Sequence, residues 1–162
     1  MTIEKGDKLP EVILKTLQDD EIKDVNIAEY VKDKNVVIFG VPGAYTPVCT
    51  LNHLPGFIER ESELKQKGVD EIICIATNDP FVVNQWAKES GAAGKVTVFP
   101  DGNLEFTKSL GLELDASAIG LGPRSQRYSM IVKDGVIETV DVEDEATTVS
   151  VSGAESCIAK LG

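Results

Sequence analysis

Cys49 lies in the run Pro42-Gly-Ala-Tyr-Thr-Pro-Val-Cys49-Thr50, between the apolar stretch Val36-Val-Ile-Phe39 and a helix-like stretch from Thr50 to Lys67. A cysteine just inside a helix, after a turn of Pro, Gly and Thr, meets unpaired backbone N–H groups and the positive end of the helix dipole. Both favour the thiolate, which is the nucleophilic form. A free thiol has a pKa of roughly 8.5, so only a small fraction is ionised near neutrality. The helix terminus contributes about 0.3–1 kcal/mol toward the anion, less than one pKa unit. A cation is the usual supplement, and Arg124 and Arg127 in Gly122-Pro-Arg-Ser-Gln-Arg127 are the candidates. Their loop feeds the apolar strand Tyr128 to Val132. If that strand adjoins Asn35 to Phe39, an arginine at its entrance lies against the Cys49 turn. Arginine stays charged, and its fork holds two acceptors at once. Thr46, three residues before Cys49, carries a hydroxyl able to donate to the sulfur and to accept from an incoming O–H. Pro42 and Pro47 stiffen the turn and leave fewer backbone donors to compete for a substrate. Pro42, Thr46, Cys49 and a distant arginine point to an activated nucleophile rather than an inert buried thiol.

The other titratable groups are sparse. Cys49, Cys74 and Cys157 form no CxxC pair, and with one histidine in the chain, His53, a metal site is not expected. An odd number of cysteines without a secretory signal fits a reducing compartment. Cys74 sits mid-strand in Ile-Ile-Cys-Ile-Ala, where a small buried hydrophobe is the plain reading. Cys157 shares a helical face with Ala154, Ile158 and Leu161 and reads as core. His53, four residues after Cys49, reads as a packing or capping histidine, with a local base or a supporting donor as the sharper alternative. Phe81 and Trp86 read as core or subunit contacts, and Glu143-Asp-Glu145 as a solvated loop.

The chain carries 16 basic and 27 acidic residues, a net charge of −11. That field repels phosphate backbones and anionic bilayers, so nucleic acid and membrane surfaces are not expected partners. No run of 18 apolar residues suggests a membrane span. The N-terminus, Met1-Thr-Ile-Glu-Lys-Gly-Asp-Lys-Leu-Pro10, lacks the apolar core of a signal peptide, so a cytoplasmic location is expected. With 42% apolar residues in 162 positions, residues 1–162 are expected to form one domain.

The elements that must position Cys49 follow from periodicity and punctuation. Val12-Ile-Leu14 and Glu21 to Asn26 read as a hairpin around Gln18-Asp-Asp20. Asn35 to Phe39 and Ile72 to Ala76 are continuous apolar runs, as expected of strands buried on both faces. After Cys49, Leu54, Phe57, Ile58 and Leu64 fall near helical spacing, with a kink expected at Pro55 and a stop at Gly68. Asn78-Asp-Pro80 starts a helix that ends at Gly91. Val96 to Phe99 is a third strand, and Asn103 is expected to cap a short helix ending at Leu110-Gly111. Tyr128 to Val132 and Val136 to Val142 flank Lys133-Asp-Gly135, a strong hairpin signal. Ser152 is expected to open the last helix. The order β-β, β-α-β-α-β-α, β-hairpin-α predicts an α/β, thioredoxin-like fold: a central mixed sheet with helices on both faces. The turn after Phe39 then lies at the carboxyl end of a strand, where open α/β sheets place their chemistry.

Pro42-x-x-x-Thr46-x-x-Cys49 resembles the active-site signature of the peroxiredoxins. The longer run Phe39 to Cys49, with His53-Leu-Pro-Gly-Phe57, is similar to the atypical type II, peroxiredoxin-5-like branch. So are Gly68 to Cys74, Asn78-Asp-Pro-Phe81, Leu110 to Leu114 and Arg124-Ser-Gln-Arg127, so the resemblance covers nearly the whole chain. It implies that Cys49 is the peroxidatic cysteine, that Pro42 and Thr46 are its pocket partners, and that Arg127 stabilises the thiolate. Tyr45 departs from the phenylalanine common there, a change expected to tune the pocket mouth.

The implied activity is a thiol peroxidase that reduces hydrogen peroxide and alkyl hydroperoxides through a Cys49 sulfenic acid, without a cofactor. Some plant relatives carry a cysteine at the position of Cys74, which makes it a candidate resolving residue. Cys157 falls several residues after the place where animal members carry theirs, a place that Val151 occupies. An external thiol is therefore favoured as reductant, glutathione with glutaredoxin first and thioredoxin next. Relatives also imply a homodimer formed close to the active-site turn. Two other classes remain to be weighed: a thioredoxin-like disulfide exchanger, which normally needs the CxxC pair this chain lacks, and a non-catalytic binding module on the same scaffold.

Overall fold

Residues 2–161 are described in a computed structural model of the chain. Period-2 alternation in the central strands builds the molecule. On β3 (Asn35–Val41) and β4 (Glu71–Ala76), the side chains of Val37, Phe39, Ile72 and Cys74 enter one apolar cluster, while those of Val36, Ile38, Ile73 and Ile75 enter another. A strand buried on both faces needs cover on both. One face carries α2 (Leu54–Glu59), α3 (Glu61–Gln66), α4 (Pro80–Ser90) and α6 (Ala154–Lys160). The other carries α1 (Ile27–Tyr30), α5 (Glu105–Leu110) and Leu14 of the N-terminal hairpin, β1 (Ile13–Gln18) and β2 (Glu21–Asn26).

The five-stranded sheet has the order β5-β4-β3-β8-β9, with β5 at Thr97–Pro100, β8 at Tyr128–Lys133 and β9 at Val136–Val142. β3 is parallel to β4 and antiparallel to β8, in a register that sets Phe39 opposite Ser129 and Gly40 opposite Tyr128. This is the expected thioredoxin-like mixed sheet, and it places the start of β8 beside the end of β3. Asp134 and Gly135, both at positive φ, close the β8–β9 turn.

The structure departs from the sequence expectations at several termini. Asn103 does not cap α5. The carboxylate of Asp101 accepts from the backbone N–H groups of Phe106 and Thr107 instead, and Leu104 takes the left-handed conformation at φ 59°. Gly153, not Ser152, precedes α6. The stretch after Cys49 is not one kinked helix. Cys49–His53 is wound as a π-turn, whose next N–H, from Leu54, donates to Cys49 O, and a second break falls at Arg60. Pro55 has no N–H to donate back into that turn, and a widened turn is one way the chain absorbs such a loss. A short hairpin of β6 (Glu113–Asp115) and β7 (Pro123–Ser125) had no clear signal in the sequence. Among the described residues, no helix is long and apolar enough to cross a membrane.

Candidate active site

Two side chains converge on the Cys49 sulfur. Thr46 Oγ1 lies 2.8 Å away and Arg127 Nη2 3.0 Å away. The backbone donors expected from the helix start are not among its partners: no backbone N–H of the described residues donates to Sγ, and the ligands are a hydroxyl and a guanidinium. Thr46 Oγ1 is also 2.8 Å from Gly43 O. One hydroxyl proton cannot serve both acceptors. With a neutral thiol, S–H donates to Thr46, and Thr46 donates to Gly43 O. With a thiolate, the Thr46 proton turns to the sulfur. The same atom thus serves either protonation state of Cys49.

The turn is held from below. Tyr45 adopts φ 65°, an uncommon conformation for a residue with a side chain. Asn78 Oδ1 accepts from Ala44 N at 2.6 Å, and Thr77 Oγ1 donates to Pro42 O at 2.7 Å. Arg124 donates through Nη1 to Thr77 O at 3.0 Å and through Nε to Leu121 O at 2.9 Å. A Cβ on Gly43 would lie 2.8 Å from that Nη1, so a side chain there would displace the Arg124 fork. Of the two candidate arginines, Arg127 reaches the sulfur and Arg124 braces the turn.

Arg127 is 1% exposed and uses its whole fork. Nη2 faces Cys49, Nε donates to Ala146 O at 2.8 Å, and Nη1 lies 2.8 Å from His53 Nδ1. A guanidinium carries only donors, so Nδ1 must accept. The ring proton is then on Nε2, which lies 2.8 Å from Ser152 O and donates to it. Burial and the neighbouring Arg127 charge together push the His53 pKa down to about 3, so the imidazole is neutral. His53 is therefore more than a packing residue: it is a second anchor for Arg127. Its signals in the sequence were the four-residue spacing from Cys49 and its place in His53-Leu-Pro-Gly-Phe57.

Glu143 corrects a sequence expectation outright. It is 5% exposed rather than solvated, and its carboxylate accepts from Ser150 and Ser152 through both backbone and hydroxyl groups. Burial alone would raise its pKa, but the Ser152 and Ser150 donors outweigh it and hold the value at about 2. The alternation Thr148, Ser150, Ser152 after a glutamate was the available signal. Trp86 is wholly buried, with Nε1 donating to Thr50 Oγ1 at 3.1 Å, whereas Phe81 is 64% exposed.

Cys74 and Cys157 are buried free thiols that share the Cys49 side of the core. Burial pushes both thiols up, and the neighbouring Cys49 adds to the effect at Cys74. Cys157 Sγ contacts Ser129 Oγ at 3.4 Å. Cys49 is itself fully buried, and a cleft of about 310 Å³ leads toward it. Thr46 and Arg127 are both in the wall of that cleft, among Pro42, Val48, Leu114 and Ile119. No group of His, Cys, Asp and Glu among the described residues has the arrangement of a metal site.

A thioredoxin-like sheet that presents one cysteine, a threonine and a buried arginine at a strand's carboxyl end defines a thiol-based redox protein. Comparison with known proteins narrows the class. The redoxin family model matches residues 4–158. Chloroplastic peroxiredoxin-2E-2 of rice is 44% identical over 99% of this chain and 73% of its own. Reduced Prx3 of Vibrio vulnificus, solved in complex with hydrogen peroxide, is 41% identical with a TM-score of 0.93, covering 99% of this chain and 96% of its own. Peroxiredoxin 5 of Alvinella pompejana is 31% identical with a TM-score of 0.85, covering 98% and 97%. The chain belongs to the redoxin family, and within it to the type II, peroxiredoxin-5-like peroxiredoxins, which are thiol peroxidases.

Proposed function

We propose that the chain reduces hydrogen peroxide and alkyl hydroperoxides by direct displacement at Cys49. The thiolate attacks one peroxide oxygen, the O–O bond breaks, and the leaving oxygen takes a proton to depart as water or an alcohol. Cys49 is left as a sulfenic acid. Arg127 and Thr46 hold the sulfur and the peroxide oxygens and supply donors where negative charge develops. The observation that carries this reading is the convergence of Thr46 Oγ1 and Arg127 Nη2 on Cys49 Sγ beside the cleft. The relative from Vibrio vulnificus was captured with hydrogen peroxide, and the apolar wall here suits an alkyl chain as well.

The sulfenic acid is returned to a thiol by an external reductant, glutathione with glutaredoxin first and thioredoxin second. Cys74 is held in the centre of the sheet, opposite Phe39 on one side and Val98 on the other, and Cys157 faces Ser129 from α6. Both are buried, and burial pushes their thiols up, which leaves little of the thiolate that resolution needs. Three free thiols fit a reducing compartment such as the cytoplasm. Tyr45, Phe81 and Ile119 are exposed large apolar side chains, each available to a homodimer contact.

Peroxide consumption with glutathione and glutaredoxin, with thioredoxin, and with no donor tests the reading. Turnover is expected in the first arm and is abolished by Cys49→Ser; retained activity in that variant overturns it. A disulfide exchanger would reduce disulfides without peroxide, and a binding module would do neither. Mass spectrometry after one peroxide equivalent tests the reductant assignment, which a dominant Cys49–Cys74 or Cys49–Cys157 disulfide would refute.

A further inference from the structure

The segment between β9 and α6, residues 143–153, offers two backbone carbonyls to the side chains of the active site. Ala146 O accepts from Arg127 Nε at 2.8 Å, and Ser152 O accepts from His53 Nε2 at 2.8 Å. Both carbonyls must be fixed in space for the guanidinium to face the sulfur. The segment has no regular secondary structure to fix them. It is tied instead to a single carboxylate. Glu143 Oε2 accepts from Ser150 N at 2.8 Å, Ser152 N at 2.8 Å and Ser152 Oγ at 2.6 Å. Oε1 accepts from Ser150 Oγ at 2.9 Å and Thr148 Oγ1 at 3.3 Å. The backbone of Glu143 is itself bonded to Arg127, its N–H donating to Arg127 O at 2.8 Å.

We propose that Glu143 is a positioning residue for the peroxidase site, knotting residues 143–152 so that the carbonyls of Ala146 and Ser152 lock Arg127 and His53 against Cys49. The relay has two arms: Glu143 to Ser152, His53 and Arg127, and Glu143 through the closed loop to Ala146 and Arg127. Without the carboxylate, the Ser150 and Ser152 N–H groups lose their acceptor in a buried setting, a loss that favours opening the loop. The proposal rests on the peroxidase reading for its activity readout, but its structural claim stands apart.

The test compares Glu143→Gln with the full-length wild-type chain. Gln keeps the shape but loses the charge, and its one oxygen cannot replace both Oε1 and Oε2 as acceptors for the five donors of the loop. NMR reads the labile ring proton of His53, the sole histidine, and the Nε–H of Arg127, one of three arginines. Both are expected as slowly exchanging signals in the wild type. In Glu143→Gln they are expected to broaden or vanish while the amide spectrum stays dispersed, with the rate of peroxide reduction at least tenfold lower. If Glu143→Gln fails to fold, Ser152→Ala carries the test, removing one donor and leaving the backbone; a smaller loss, at least threefold, is expected. A folded variant with both signals intact and a rate within twofold of wild type overturns the proposal. If the wild type itself consumes no peroxide, the peroxidase reading fails, and the two NMR signals still decide whether Glu143 positions Arg127.

Discussion

Arg127 Nη1 lies 2.8 Å from His53 Nδ1, a contact between a cation and an imidazole that is stable only while the ring is neutral. It fixes the tautomer, because Nδ1 accepts and Nε2 must carry the hydrogen toward Ser152 O. With one histidine in the chain, nitrogen NMR reads that tautomer without assignment ambiguity. The expected spectrum is a neutral ring protonated at Nε2 from pH 8 down to about 4. Titration near the ordinary value of 6.5 would show that the ring does not serve Arg127 this way.

Burial of His53, reinforced by the same contact, makes the fold sensitive to acid. In the unfolded chain His53 takes up a proton near 6.5, whereas in the folded protein it does so only near about 3. Between those values the unfolded state binds one more proton, so stability falls as pH falls, by about 1.4 kcal/mol per pH unit. Glu143, ordinary at 4.5 and held at about 2, adds a second loss of the same sign that begins below pH 4.5. Urea unfolding between pH 6.5 and 5 isolates the histidine. His53→Gln, whose amide is able to accept from Arg127 and donate to Ser152, is expected to flatten the slope there. An unchanged slope would place the acid sensitivity elsewhere.

Arg127 cannot be replaced by lysine. Its three nitrogens serve Ala146 O, His53 Nδ1 and Cys49 Sγ in three directions, and an ammonium on a flexible stem is a single point. Arg127→Gln removes the charge facing the sulfur, and its expected cost is on the order of 10²–10³ in peroxide reduction rate, as for the loss of one preorganised donor. Arg127→Lys keeps a charge without the fork and is expected to fall close to Gln rather than midway to wild type. Single-turnover peroxide reduction followed by stopped flow separates the two, and a near-normal lysine variant would mean that charge alone suffices.

How much of this was legible beforehand depended on whether the determinant was local. The buried strands announced themselves by apolar runs, the α4 start by Asp79-Pro80, and the β8–β9 turn by Asp134-Gly135. Cys49 and Thr46 are three residues apart, so their meeting follows from one turn, and Arg127 follows once β8 pairs with β3. Asp101 as a cap reaches five and six residues forward, past the usual capping distance, and was assigned to Asn103 instead. The π-turn at Cys49–His53 has no sequence signature beyond Pro55. Glu143 stands beside two further acids and so reads as surface. What buries it is the return of the hydroxyls at 148, 150 and 152, whose alternation is visible in the sequence but whose folding back onto Glu143 is a tertiary fact.

Gly40 supplies a test of the sheet that presents the site. It stands opposite Tyr128 on the antiparallel β3–β8 pair, and the Tyr128 ring occupies the place where a Cβ on Gly40 would sit. Tyr128 is wholly buried among Ile38, Ile75 and Phe106, so the ring has nowhere to retreat. Gly40→Ala is therefore an overpacking substitution and is expected to cost about 1–3 kcal/mol or more, since dense cores shift rather than absorb an added methyl. The strain falls two residues before Pro42 and at the residue that follows Arg127 in sequence, so peroxide reduction is expected to drop along with stability. Shrinking the partner separates the two causes. Tyr128→Leu combined with Gly40→Ala should recover part of the urea midpoint lost by Gly40→Ala alone. A single Gly40→Ala variant with a wild-type midpoint would show that β3 and β8 are not as closely apposed as this register requires.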